Sequence, residues 1–210
     1  MKVLIACEFS GTVRDAFAAL GHDAWSCDLL PTEQPGQHIQ GDVREVLNEQ
    51  WEMIIAHPPC TDLAVSGAAW FEAKRADGRQ QAAIEFFMLF ANLRCERVAI
   101  ENPVGIMSTY WRKADQVIHP YQFGHMEQKS TCLWLKNLPL LRPTNDVYAG
   151  MMELPRNQRE RLHYLPPSED RWALRSMTYQ GIADAMAQQW GTEEGLVADL
   201  PLFHQSHLNV

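Results

Sequence analysis

Positive charge, paired cysteines and long apolar runs are all scarce in this chain of 210 residues. No stretch approaches the roughly 18 apolar residues that a membrane-spanning helix needs. The opening MKVLIACEF is apolar only briefly before Glu8 interrupts it, too short for a secretory leader. The five cysteines are odd in number and form no Cys-x-x-Cys pair. That excludes a disulfide framework and a Cys-rich zinc site, gives no ground for a resident metal, and fits a reducing cytoplasm. The formal net charge is −8, which taken whole weighs against a nucleic-acid partner.

The charge is unevenly distributed, however. Lys and Arg number 8 against 14 Asp and Glu in residues 1–100, 10 against 8 in residues 101–175, and none against 4 in residues 176–210. The middle third alone favours an anionic polymer, and only slightly. The length suits one domain with at most a small appendage, and that much chain buries enough surface to fold without staples.

Strand and helix patterns alternate over the first hundred residues. Lys2–Ala6, Asp23–Cys27, Met53–Ala56 and Arg97–Ile100 read as short buried strands. Helical spacing runs from Arg14 to Leu20, with Gly21 placed to stop it, and a long helix from a cap at Asp77 to about Cys95 carries Ala83, Phe87 and Phe90 on one stripe. Residues 31–40, with Pro35 and Gly36, read as a loop, and Asp42–Leu47 as a short helix. This alternation predicts an α/β chain, a mostly parallel twisted sheet with right-handed crossovers. Past residue 110 the pattern changes: Gln116–Gln122 and Thr131–Leu135 predict an antiparallel pair at the sheet edge. Residues 137–172 are rich in Pro and Arg with little periodicity. Ile182, Met186 and Trp190 fall four apart on a last helix, ahead of an acidic tail expected to be poorly ordered at its end. The implied organisation is a catalytic domain over 1–136, a loop-rich insertion over 137–172, and a returning helix plus tail over 173–210.

In open parallel sheets, ligands bind beyond the C-terminal strand ends, and the unusual residues collect there. The first strand runs into Glu8-Phe9-Ser10-Gly11-Thr12, the second ends at Asp28, and Gly41-Asp42 follows a short extended stretch. The third apolar strand ends at His57-Pro58-Pro59-Cys60, where two prolines stiffen the turn and present the thiol. The other four cysteines lie in or beside apolar runs, the usual fate of buried cysteine. Arg97–Ile100 leads into Glu101-Asn102-Pro103. A carboxylate at the end of an apolar strand is expected to be desolvated, with a raised pKa that keeps it a neutral acid able to protonate a ring nitrogen.

Together these motifs resemble the SAM-dependent DNA (cytosine-5) methyltransferases, in a short phage- or prophage-like form, and the resemblance spans roughly residues 3–190. It implies a Rossmann-like class I methyltransferase fold and S-adenosyl-L-methionine as cofactor. Phe9-Ser10-Gly11, with Thr12, resembles the first cofactor motif. Asp28 matches the acid that meets the cofactor ribose, and Gly41-Asp42-Val43 resembles the motif whose Asp contacts the adenine amino group. Pro58-Pro59-Cys60 resembles the catalytic Pro-Pro-Cys, with Cys60 as nucleophile, Pro58 beside the cofactor, and Pro59 and Thr61 beside the substrate. Glu101-Asn102 resembles the Glu-Asn pair whose Glu protonates cytosine N3. Glu127, Lys129 and Thr131 resemble a reduced form of the Gln-x-Arg-x-Arg strand, which gives Lys129 a catalytic place and puts Glu127 and Thr131, with Asn102, near the base. Gly181 falls in the last motif, a helix beside the cofactor. The chain departs from the family in carrying His57, not Gly, before the prolines, and in the brevity of its recognition region.

The resemblance implies attack of the Cys60 thiolate on cytosine C6, proton donation by Glu101 to N3, and methylation at C5 of a base flipped from DNA. Residues Thr61–Gly67 would form the lid, with Trp70 and Phe71 beyond it. Lys129, Lys136, Arg142, Arg156, Arg159 and Arg161 would meet phosphates. Four other readings stand beside this one. They are an amino-methyltransferase, which would place an aromatic residue where Cys60 stands; a pyrimidine-modifying enzyme acting on a free nucleotide or single strand; a catalytically idle binding member; and a metal site built from His57, Cys60, His119 and His125, whose spacing matches no zinc pattern.

Overall fold

The structure, a computed structural model, describes residues 1–197; the expectation made for the end of the acidic tail lies outside them. Seven strands form one sheet: β1 (Lys2–Ala6), β2 (Asp23–Asp28), β3 (His38–Gln40), β4 (Met53–Ala56), β5 (Arg97–Pro103), β6 (Gln116–Ile118) and β7 (Thr131–Lys136). Their order is β3-β2-β1-β4-β5-β7-β6. The first five are parallel, and β7 lies antiparallel between β5 and β6. This is the mostly parallel α/β sheet that the alternation of strands and helices predicted, with its antiparallel strands at one edge.

The helices are α1 (Thr12–Ala19), α2 (Phe71–Ala76), α3 (Arg79–Ala91), α4 (Met107–Tyr110), α5 (Tyr148–Glu153), α6 (Arg156–Arg159), α7 (Arg161–Tyr164), α8 (Arg171–Ser176), α9 (Gln180–Trp190) and α10 (Glu193–Val197). Side chains alternate across a strand, so the apolar runs feed two cores. Val3, Ile5, Met53 and Ile55 pack with Val13 and Phe17 of α1 and Ile182, Met186 and Trp190 of α9. Leu4, Ala6, Ile54 and Ala56 pack on the opposite face with Ile84, Phe87 and Phe90 of α3. The strand order reverses about β1, which lies between β2 and β4; loops leaving the C-terminal ends of β1 and β4 diverge there and open the ligand crevice of such sheets.

Three local expectations are corrected. The loop read over 31–40 contains β3, only three residues long and fixed by the side chain of a neighbour: Ser26 Oγ and His38 Nδ1 lie 2.8 Å apart. A strand that short leaves no periodic signal. The helix read from Asp77 to Cys95 runs only from Arg79 to Ala91, with the Asp77 carboxylate accepting from Arg79 N at its start. The segment read as loop-dominated holds α5, α6, α7 and the start of α8, each too short to reveal itself through 3.6-residue spacing.

Arg14, in the first turn of α1, is buried despite its charge. It is 1% exposed. Its guanidinium donates to Ser26 Oγ, Thr32 Oγ1, the carbonyl of Gln34 and the Asp15 carboxylate, tying the β2–β3 loop onto α1.

Candidate active site

The turn after β1 is organised by a side chain that the sequence reading noted without a role. Glu8 is buried. Its carboxylate accepts from Val13 N at 2.7 Å, Arg14 N at 3.2 Å and Ser10 Oγ at 3.3 Å, so it caps α1 from the preceding strand end. Burial raises its pKa against the opposing pull of His57, the two N–H groups and Arg14. Gly11 turns the chain into α1 with φ 78°, a left-handed conformation that favours glycine. Thr12 N donates to Ser10 Oγ. Phe9 is half-buried, its ring centroid 5.6 Å from that of Trp172 on α8.

Asp28 and Asp42 flank the same end of the sheet. Asp28 closes β2, where its carboxylate accepts from Leu30 N. Asp42 follows β3 and accepts from both Arg44 N and the Arg44 guanidinium; those hydrogen bonds hold its pKa down. Val43 behind it is buried. Both carboxylates lie near enough to Cys7 to add to the burial that pushes its thiol upward. They therefore converge at the C-terminal end of β1.

The loop after β4 brings Cys60 beside Glu101. Pro58 is buried and Pro59 exposed. Asn102 Nδ2 donates to the Pro58 carbonyl at 2.7 Å, binding the end of β5 to this loop. The Cys60 carbonyl accepts from Leu63 N and Ala64 N, which closes the turn behind the thiol. Burial raises the Cys60 pKa; the Glu101 charge adds to the rise, and Lys129 and Arg175 oppose it. His57 Nδ1 lies 3.2 Å from Glu101 Oε2. The expectation of a raised Glu101 pKa is corrected here. Burial does push it up, but the hydrogen bond from His57 and the charges of His57 and Lys129 outweigh burial, and the net shift is downward.

The segment leading into β7 is committed to internal contacts. Glu127 accepts from Arg161 Nη2 at 2.9 Å and from the Tyr179 hydroxyl at 2.8 Å. Lys129 Nζ donates to the Arg175 carbonyl and lies over the Tyr179 ring, while its charge reaches Cys60 and Glu101. Thr131 is buried, its hydroxyl 3.5 Å from the Lys129 carbonyl. Gly181 donates its N–H to His125 Nε2, and a Cβ there would stand 2.0 Å from the Phe123 carbonyl oxygen, so close packing demands glycine. That bond engages His125, and His119 stacks on Tyr121; among the described residues no group of three His, Cys, Asp or Glu is arranged to hold a metal ion.

The loop from Thr61 to Gly67 is pinned at several points. Buried Lys74 donates to the Thr61 carbonyl and pairs with Asp62 at 3.2 Å, Ile106 N donates to the Leu63 carbonyl, and Ala64 bridges Gly105. Thr61 is exposed, as are Val65 and Trp70 beyond it. Of the cations expected to face phosphates, Arg156 pairs with Glu160 and Arg161 with Glu127.

Cys60, Glu101 and Lys129 thus come together with His57, Phe9 stands against Trp172, and Asp28 and Asp42 meet near Cys7. Trp172, Arg175 and Tyr179 are participants that the sequence did not single out, and Glu8 and His57 were noted there without these contacts. Only Glu8 and His57 carried a signal, as polar residues at the exits of apolar strands.

No protein-family model and no curated protein matches the chain. Among solved structures it is similar to a chain from E. coli assigned as a DNA modification methyltransferase encoded within a prophage, with 18% identity and a TM-score of 0.46 over 73% of this chain and 55% of that one. The chain therefore spans about half the length of that protein. Fold and site define an α/β chain with a thiol and a carboxylate side by side beyond the switch point of its sheet. Among the described residues no helix is long and apolar enough to cross a membrane.

Proposed function

We propose that the chain is a SAM-dependent methyltransferase acting on C5 of cytosine in DNA through a covalent Cys60 adduct. The observation that carries this reading is the pairing of Cys60, on the loop after β4, with Glu101 of the adjacent parallel strand β5, tied by Asn102 to Pro58 and flanked by Lys129. Covalent activation of a pyrimidine needs this combination: a thiolate to add at C6 and an acid to relieve the charge that develops on the ring. Lys129 and Arg175 are the cations on the thiolate's side and favour its ionised form.

The donor set also fits the cofactor. Asp28 and Asp42 offer carboxylate oxygens suited to ribose hydroxyls and an adenine amino group, and Phe9 offers an aromatic face. Ser10, Gly11 and Thr12 form the turn at the start of α1, Val43 and Pro58 are assigned to the cofactor side with them, and Gly181 packs α9 closely against Phe123 and His125. When bound, S-adenosyl-L-methionine supplies an electrophilic methyl group. Residues 1–136 are the catalytic domain in this reading, 137–172 the recognition insertion, and 173–210 the returning helix and tail.

Pro59, Thr61, Asn102, Glu127 and Thr131 are assigned to the substrate side. A second reading, in which the substrate is a nucleotide or a single strand, is favoured by one observation: two arginines of the short recognition segment are already neutralised by Glu160 and Glu127. The test is incubation with SAM and DNA containing 5-fluorocytosine. An SDS-resistant adduct that disappears in Cys60→Ser supports C5 chemistry, whereas methyl transfer to an exocyclic amine without an adduct overturns it. Binding of duplex, single strand and dCMP at two salt concentrations separates the substrates, since a duplex binder loses affinity steeply with salt.

A further inference from the structure

We propose that His57 is a positioning residue that aims Glu101 and holds the proton Glu101 passes to the pyrimidine ring, a role that rests on the reading above. His57 occupies the first position after β4, where its backbone N–H donates to the Ala6 carbonyl at 2.9 Å. That bond fixes the origin of the side chain between β1 and β5. The imidazole is 8% exposed, with Nδ1 3.2 Å from Glu101 Oε2. Nε2 is buried and has no hydrogen-bonding partner among the described residues. A buried imidazole with one nitrogen on a carboxylate and the other unpartnered is unusual in a purely structural role, because native folds pair nearly all such atoms.

The charged and titratable groups around the pair come from every neighbouring element. Glu8 faces His57 from the β1–α1 turn. Lys129 faces Glu101 from the approach to β7, and Cys132 of β7 also senses Glu101. Cys60 faces Glu101 from His57's own loop. Two carboxylates therefore bracket one imidazole in a site sheltered from water. A proton held between Nδ1 and Oε2 compensates both, while leaving Glu101 ionised at rest.

Delivery balances without any further reactant. The Cys60 thiol first gives its proton to solvent; the thiolate sulfur then forms its bond to C6 with a lone pair, and the C5=C6 π pair moves into the ring. N3 takes a proton from Glu101 Oε2 as Oε2 takes one from His57 Nδ1. Glu101 is again a carboxylate, and His57 is left neutral with its proton on Nε2. Loss of the thiolate from C6 returns the N3 proton by the same route. Routing the proton through His57 lets Glu101 act as an acid while its own pKa is held down.

The test uses exchange of the cytosine C5 hydrogen in deuterated water, a consequence of reversible addition at C6 that needs no cofactor. Wild type, His57→Asn, Glu101→Gln and Cys60→Ser are compared from pH 5 to 9 on duplex and single-stranded oligonucleotides and on dCMP. The expected result is a His57→Asn profile whose loss is smallest at the acid end, with its alkaline limb moved to lower pH. A uniform loss at every pH, the mark of a structural role, or an unmoved profile overturns the proposal. The midpoint of the Glu101 carboxyl carbon, followed by NMR in the free protein, is expected to rise in His57→Asn and His57→Gln, and an unmoved midpoint overturns the His57 assignment by itself. Absence of exchange by wild type on every probe, or its persistence in Cys60→Ser, instead overturns the pyrimidine reading and the delivery step with it.

Discussion

The side-chain amide of Asn102 donates to the carbonyl oxygen of Pro58 at 2.7 Å, so the strand carrying Glu101 holds the loop carrying Cys60 in place. The bond is buried, and Asn102 itself is 2% exposed. Asn102→Ala leaves the Pro58 carbonyl without its donor inside the protein. A loss of about 1–3 kcal/mol in stability is expected from that orphaned acceptor, read from urea denaturation. The adduct yield with 5-fluorocytosine should fall further than in a control of equal stability loss in the distant core, such as Phe17→Leu. Equal yields would mean that Asn102 only stabilises.

The strands and the chemistry at their ends were legible in the sequence because both are local. Val3–Ala6 and Met53–Ala56 are apolar enough to be strands in any context, and Cys60 and Glu101 each follow such a run directly. What was hidden depends on residues far apart in the chain. His57 meets Glu101 across 44 positions, and Glu127 finds Arg161 and Tyr179 across 34 and 52. The direction of the Glu101 shift followed the same pattern. Burial could be inferred from its strand, but the hydrogen bond and charges that reverse burial's effect come from another strand and from Lys129.

Arg14 should be among the most sensitive positions away from the thiol. Its guanidinium is buried, and its ion-pair partner Asp15 is half-exposed, so the hydrogen bonds to Ser26, Thr32 and Gln34 carry more of its worth than the ion pair. Arg14→Met keeps much of the stem but removes a charged donor from Ser26, Thr32 and Gln34; about 2–4 kcal/mol of stability should be lost. Arg14→Lys should recover little, because an ammonium lacks the planar fork that reaches several partners at once. Guanidinium denaturation of the two variants checks this, and a near-native Arg14→Lys would show that charge alone suffices.

Glu101 and the buried Glu8 predict opposite pH dependences. Glu101 has a lowered folded pKa, so its contribution is present above its unfolded value of about 4.3 and is lost as pH falls through the lower folded value. Glu8 has a raised folded pKa, so its contribution is present below about 4.3 and is lost as pH rises through the higher folded value. Denaturation at a series of pH values should therefore show the wild-type advantage over Glu101→Gln shrinking below pH 4. Glu8→Gln should gain on wild type as the pH rises above about 5. Parallel curves for all three proteins would mean that neither carboxyl group titrates differently in the fold.

Gly181→Ala sets a helix preference against a collision. Within an exposed helix, Ala is favoured over Gly by about 1 kcal/mol. At Gly181 the new methyl would arrive 2.0 Å from the Phe123 carbonyl oxygen and 3.1 Å from His125 Nε2. The first of these atoms is backbone and cannot swing aside, so α9 must move outward from the chain that leads toward β7. Overpacking of this kind costs about 1–3 kcal/mol, which exceeds the helix gain, and the variant should be less stable than wild type. The displacement would also loosen the Gly181 N–H bond to His125 and the Tyr179 hydroxyl bond to Glu127. Gly181→Ala should therefore show faster amide exchange at both ends of the 125–131 segment, with β1 and β4 unchanged. A variant as stable as wild type would mean that α9 has room the present packing does not use.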